Sequence, residues 1–109
     1  MESHNLFSAG AGFAVLQTTA RSQTAVMILS PGESSSEKPN RHPKSDQILL
    51  LVEGSLTAEI GATRRDLRPG DSVVVEANTP HRFANPGPAR AVTFSVYAPP
   101  AYPPETKET

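Results

Sequence analysis

Residues 40–76 read NRHPKSDQILLLVEGSLTAEIGATRRDLRPGDSVVVE, and the pattern within them decides the fold. A polar segment carrying His42, Lys44, Asp46 and Gln47 runs into the apolar residues 48–52 and stops at Glu53-Gly54. In Leu56–Ile60, Leu56, Ala58 and Ile60 point one way and Thr57 and Glu59 the other, the period of two expected of a strand with one face in a core. Gly61-Ala62 is a tight hairpin turn, and Thr63–Leu67 returns with its arginines in water. Pro69-Gly70-Asp71 turns the chain again into residues 72–76, SVVVE. Residues 48–52 are apolar on both faces. That predicts a central strand with the core on one side and a second sheet or subunit on the other.

The same alternation of short apolar runs and turn residues continues in both directions. Towards the N-terminus, residues 13–19 (FAVLQTT) and 24–29 (TAVMIL) are strands, Ser30-Pro31-Gly32 ends the second, and residues 33–39 form a polar loop. Towards the C-terminus, Asn78-Thr79-Pro80 turns into the strand His81–Ala84, Asn85-Pro86-Gly87-Pro88 breaks it, and residues 91–97 (AVTFSVY) are the last strand. Residues 1–12 read as a flexible lead. Residues 98–109 read as an extended, proline-rich tail that lies against a neighbouring surface. Strands spaced ~8–12 residues apart with turns between them predict an all-β sandwich or barrel. Nowhere does an apolar period of 3.6 persist, so no helix longer than three turns is expected.

Composition narrows the function classes. A chain of 109 residues makes one domain with a core of its own. With no cysteine, disulfides and thiolate metal sites are excluded. A net charge of −1 argues against a nucleic-acid or anionic-membrane partner. No apolar run approaches the ~20 residues of a membrane span, and the first residues lack the basic and apolar regions of a signal peptide. A cytoplasmic protein is the expectation. The 11 prolines, placed between the apolar runs, disfavour helices and suit turns.

Two polar clusters carry a more specific signal. Residues 67–85, LRPGDSVVVEANTPHRFAN, resemble the second motif of the cupin family: glycine, five residues, proline, any residue, glycine, two residues, histidine, three residues, asparagine. Gly70, His81 and Asn85 match it, while Glu76 and Asn78 stand where proline and glycine are usual. The first cupin motif is histidine, any residue, histidine, three or four residues, glutamate, six residues, glycine. Counting back from Gly54 places Gln47 at the glutamate, His42 at the second histidine and Asn40 at the first. The run HPKSDQ is similar to a cupin branch in which glutamine replaces the glutamate. The resemblance covers roughly residues 25–100. It implies a jelly-roll barrel, commonly a homodimer, with a pocket inside the barrel mouth.

The resemblance also implies a metal site. In cupins the two motif-one histidines, the glutamate and the motif-two histidine hold one divalent ion, and imidazole donors suit zinc, nickel, iron, copper or manganese. Here the corresponding set is His42, Gln47, His81 and Asn40. Two imidazoles and two amide oxygens bring no negative charge to a dication, so affinity falls below that of the full family set. Arg41, Lys44 and Arg82 flank the histidines in sequence and, gathered at the mouth, would select an anionic small molecule. Phe83, Phe94 and Tyr97 are expected to line the barrel beside it. Asn85 and Asp46 are assigned to turn and backbone hydrogen bonds, and His4 is assigned nothing.

No serine nucleophile setting, glycine-rich phosphate loop or reactive thiol competes with this site. Two function classes stay open, since one barrel hosts many reactions. One is a binding module for a metal and a small metabolite. The other is a metal-dependent dioxygenase or isomerase working through His42, Gln47 and His81. No catalytic acid or base stands out.

Overall fold

The computed structural model describes residues 1–108. A short 3-10 helix, Leu6–Ser8, leads into nine strands: β1 Gly12–Thr18, β2 Gln23–Leu29, β3 Asp46–Glu53, β4 Leu56–Ile60, β5 Thr63–Leu67, β6 Ser72–Val75, β7 His81–Ala84, β8 Ala91–Ala98 and β9 Lys107–Glu108. They form a six-stranded sheet, β6-β3-β8-β2-β1-β9, and a three-stranded sheet, β5-β4-β7. All pairings are antiparallel. The two sheets face each other as a double-stranded β-helix. No helix among the described residues is long and apolar enough to cross a membrane.

Alternation along each strand divides the barrel interior into two ends. Leu49 and Leu51 of β3, Leu29 of β2, Leu56 and Ala58 of β4, Leu67 of β5, Val75 of β6 and Phe83 of β7 form one apolar cluster at the closed end. Burying an aliphatic or aromatic side chain stabilises by ~1.5–3 kcal/mol, so this end carries most of the fold's apolar gain. At the other end β3, β7 and β8 present Gln47, His81, Ser95 and Tyr97, all buried. Polar side chains are brought inside here because they line a site rather than a core.

The strand β3 is central, between β6 and β8. Among the described residues no second sheet covers its outer face. Instead the N-terminal segment lies over part of the outer face: Leu6 and Ala9 pack with Ala14, Leu16 and Val52 against Val26, Ile28 and Val92. The backbone carbonyl of Glu2 also accepts from Gln17 Nε2. Further along the same face, Ile48 (51%) and its cross-strand neighbour Val74 (56%) stay exposed.

Turn chemistry follows the sequence. Asn85 fixes its turn with a buried side chain, donating Nδ2 to the carbonyls of Leu29 and Ala89 and accepting from Gly87 N–H. Asp46 accepts from the backbone of Ala77. Gly54 ends β3 with φ 89°, and a Cβ there would overlap the Arg90 carbonyl oxygen. Only glycine fits.

The tail does not leave the molecule. From the end of β8 it returns across the barrel mouth, and β9 adds to the free edge of β1 through Phe13↔Glu108 and Ala14↔Lys107.

Candidate functional site

Three elements converge on the mouth. His42 precedes β3 in a loop that carries its carbonyl to Asn78 N–H (2.7 Å). Gln47 sits at the start of β3, and His81 opens β7. An isolated antiparallel bridge joins Asn40 to His81 through reciprocal bonds of 2.8 and 2.7 Å. The polar loop before β3 is thereby tied to the second sheet, and His42 is set against His81 with ring centroids 5.0 Å apart.

Both imidazoles are oriented, and His42 is held neutral. Burial, reinforced by the neighbouring His81, lowers the His42 pKa from 6.5 to about 4. His81 Nδ1 lies 3.0 Å from the Thr79 carbonyl, which can only accept, so Nδ1 is the donor in that bond. Gln47 donates its amide to Ser95 Oγ (3.1 Å), while its Oε1 is buried without a hydrogen-bond partner among the described residues. An orphaned buried carbonyl costs roughly 1–3 kcal/mol unless something meets it. Among the described residues it is the one fully buried side-chain polar atom without a partner.

The cavity these groups line has a volume of about 90 Å³, room for a few waters or a small ligand. Its walls include Phe13, Phe83, Tyr97 and Tyr102. The His42 ring meets Tyr97 edge-on at 5.1 Å and Tyr102 at 5.4 Å, and the two tyrosines meet at 5.4 Å. Burial raises the pKa of both phenols, so each stays protonated as a donor.

The expected residues therefore divide. His42, Gln47, His81, Phe83 and Tyr97 come together around the cavity, and Asn40 reaches its rim. Asn40 is exposed and its Oδ1 accepts from Arg41 N–H (3.0 Å), which makes it a poorer donor than its position in the motif implied. Arg82 does not join them. It alternates with the inward His81 and Phe83, so it lies on the outer face, donating to Ser36 O and Ser34 Oγ and pairing with Glu59. Arg41 and Lys44 are exposed, and no lysine or arginine of the described residues lines the cavity. Phe94 is also misplaced: in β8 Thr93, Ser95 and Tyr97 face inward, which turns Phe94 to the outer face beside Val26 and Leu50.

Tyr102 and Gln23 are the residues that sequence reasoning missed. A lone tyrosine within APPAYPP was the available signal for the first; Gln23, at the edge of a strand, offered none.

The site accords with a divalent ion in part. The ring-centroid separation of 5.0 Å leaves room for one ion between the two imidazoles. The orphaned Gln47 Oε1 would supply a third donor. No group of three or more histidine, cysteine or acidic side chains suited to a metal occurs among the described residues, so the donors would be two imidazoles and an amide, with no carboxylate.

Fold and mouth together define a small double-stranded β-helix protein with a histidine-containing pocket at one end. The family model of the cupin domain matches residues 25–97, and the chain belongs to the cupin family. It is 39% identical over 66 residues to the tetracenomycin polyketide synthase protein TcmJ of Streptomyces glaucescens, a stretch covering 59% of this chain and 43% of that protein. The match thus spans less than half of that relative. Among solved structures it resembles BH2720 of Bacillus halodurans, with TM-score 0.86 and 25% identity over 93% of this chain and 80% of that one. It is also similar to TT1209 of Thermus thermophilus, with TM-score 0.79 and 25% identity over 91% of this chain and 98% of that one.

Proposed function

We propose that this chain is a metal-supported binding cupin. In this reading His42, His81 and Gln47 hold one divalent transition ion, zinc, nickel, iron or manganese, and a small ligand sits beside it against Phe13, Tyr97 and Tyr102. The observation that carries the proposal is the buried, unpartnered Oε1 of Gln47 on the lining of the same cavity as two imidazoles. A bound ion would act as a Lewis acid on a ligand oxygen. The protein's own groups do the rest: the aromatic walls exclude water, and the two phenols donate hydrogen bonds.

The walls favour an uncharged or phenolic planar ligand over the anionic one that Arg41, Lys44 and Arg82 had implied. Glu108, the one carboxylate on the lining among the described residues, would repel an anion. A second reading, catalysis on such a ring, draws support from the relative described as a polyketide synthase protein. The test is calorimetric titration of metal-stripped protein with zinc or manganese. Stoichiometric binding that His42→Ala or His81→Ala abolishes is the expected result; no uptake by the unaltered protein would end the reading.

A further inference from the structure

The tail makes contacts that a loose terminus does not need. Gln23, 1% exposed on β2, uses all four of its hydrogen-bonding positions. Its Oε1 accepts from the N–H groups of Ala101 and Tyr102, both at 3.1 Å, and its Nε2 donates to Tyr102 O (2.8 Å) and to Thr18 Oγ1 (3.0 Å). Three of the four go to the tail. A buried glutamine committed in this way holds one point of the returning chain rigidly, because losing the tail would orphan it in the interior.

That point is Tyr102. Its ring lies 4.7 Å from Phe13, 5.4 Å from His42 and 5.4 Å from Tyr97, half-buried in the wall of the cavity. Beyond it the strap is lightly held. Pro103 O accepts from Thr106, Thr106 O accepts from Val15 N–H (2.9 Å), and β9 contributes two residue pairs. A two-residue edge strand at a chain end opens readily. Phe13, Met27, Ser35 and Glu108 line both the 90 Å³ cavity and a second, open cleft of about 300 Å³. The strap therefore stands between two parts of one trench.

We propose that residues 99–108 form a gate over the ligand site, with Gln23 as its fixed anchor, Tyr102 as its plug and β9 as its releasable end. Closed, the gate limits the site to a ligand of about one ring. With β9 lifted, the joined trench takes a longer planar aromatic molecule. The gate concerns the site proposed above, and its test does not require that a metal bind there.

The experiment is diethyl pyrocarbonate labelling of the full chain at pH 7. Mass spectrometry reads His42 against exposed His4 as internal reference. Tyr102→Ala, which removes the ring and leaves the backbone anchor, should raise the His42-to-His4 labelling ratio by at least roughly tenfold. Tyr102→Phe, which keeps the ring, should stay within about twofold of the unaltered protein. A parallel arm follows removal of Co²⁺ by EDTA, which Tyr102→Ala should accelerate by about tenfold while equilibrium affinity changes less than about threefold. A labelling ratio unmoved by Tyr102→Ala overturns the gate, whether or not cobalt binds. Increased labelling without cobalt uptake by the unaltered protein leaves the gate standing and removes the metal reading instead.

Discussion

At the scale of single residues, the site is defined by what is left unsatisfied. Gln47 is an acceptor waiting for a partner, and that makes its replacement by glutamate a trade between folding and binding. A buried carboxylate with one hydroxyl neighbour should lower the stability of the metal-free protein by about 1–3 kcal/mol. The same charge beside a dication should raise metal affinity by about tenfold or more. Urea unfolding and calorimetry on Gln47→Glu read the two effects separately. Asn40 lies directly across from His81, and paired residues on antiparallel strands share a face. Asn40→His should therefore also tighten binding; unchanged affinity would show that position 40 contributes nothing to the ion.

His42 adds a pH signature. Its folded-state pKa of about 4 lies below the ordinary 6.5, so between these values the unfolded chain binds more protons than the folded one. Stability of the metal-free protein must then rise with pH across this window and fall as pH drops from 6.5 towards 4. One group contributes at most about 1.4 kcal/mol per pH unit. His42→Gln should flatten the urea midpoint between pH 4 and 6.5; an unchanged slope would mean that His42 is not held neutral.

Among the elements, the turns separate structural from replaceable glycine. Gly54 has both a positive φ and no room for a Cβ against Arg90, whereas Gly70 has φ 97° with open space around it. Gly54→Ala should cost about 3 kcal/mol or more, because strain and overlap add. Gly70→Ala should cost only the backbone strain, about 1–2 kcal/mol. Thermal unfolding of the two variants gives the comparison, and equal losses would contradict it. The strand β8 shows the other rule at this scale. Val92, Phe94 and Val96 are its more apolar set, yet Thr93, Ser95 and Tyr97 face inward. Register with β2 and β3 decides the facing, and a polar set is stable inside because Thr93 Oγ1 meets Met27 O and Ser95 meets Gln47.

The molecule as a whole leaves part of one face uncovered. Ile48 and Val74 stand paired across β3 and β6, beside Leu50 and Val96, where the N-terminal segment does not reach. A sheet face of this kind is stable in water when a second copy covers it. Sedimentation at tens of micromolar should give a homodimer, and Ile48→Lys with Val74→Lys should give a monomer of unchanged fold. A monomeric unaltered protein would refute this.

The strands were legible in the chain's own patterning, and the convergence of the donors in its resemblance to the cupin motifs. Period-two alternation, turn residues and motif spacing are local properties, and they were enough to place eight strands, the hairpin at Gly61-Ala62 and the meeting of His42, Gln47 and His81. The limit of the sequence was any property that depends on partners far away in the chain. Arg82 and Phe94 were read as pocket residues from proximity and hydrophobicity, but the pleat of β7 and β8 turned them outward. Gln23 and Tyr102 lie 79 positions apart, and β9 consists of two charged residues with no strand signal. Only tertiary structure could bring that tail to the mouth, because its stability there comes from a buried amide and an open sheet edge rather than from any preference of its own sequence.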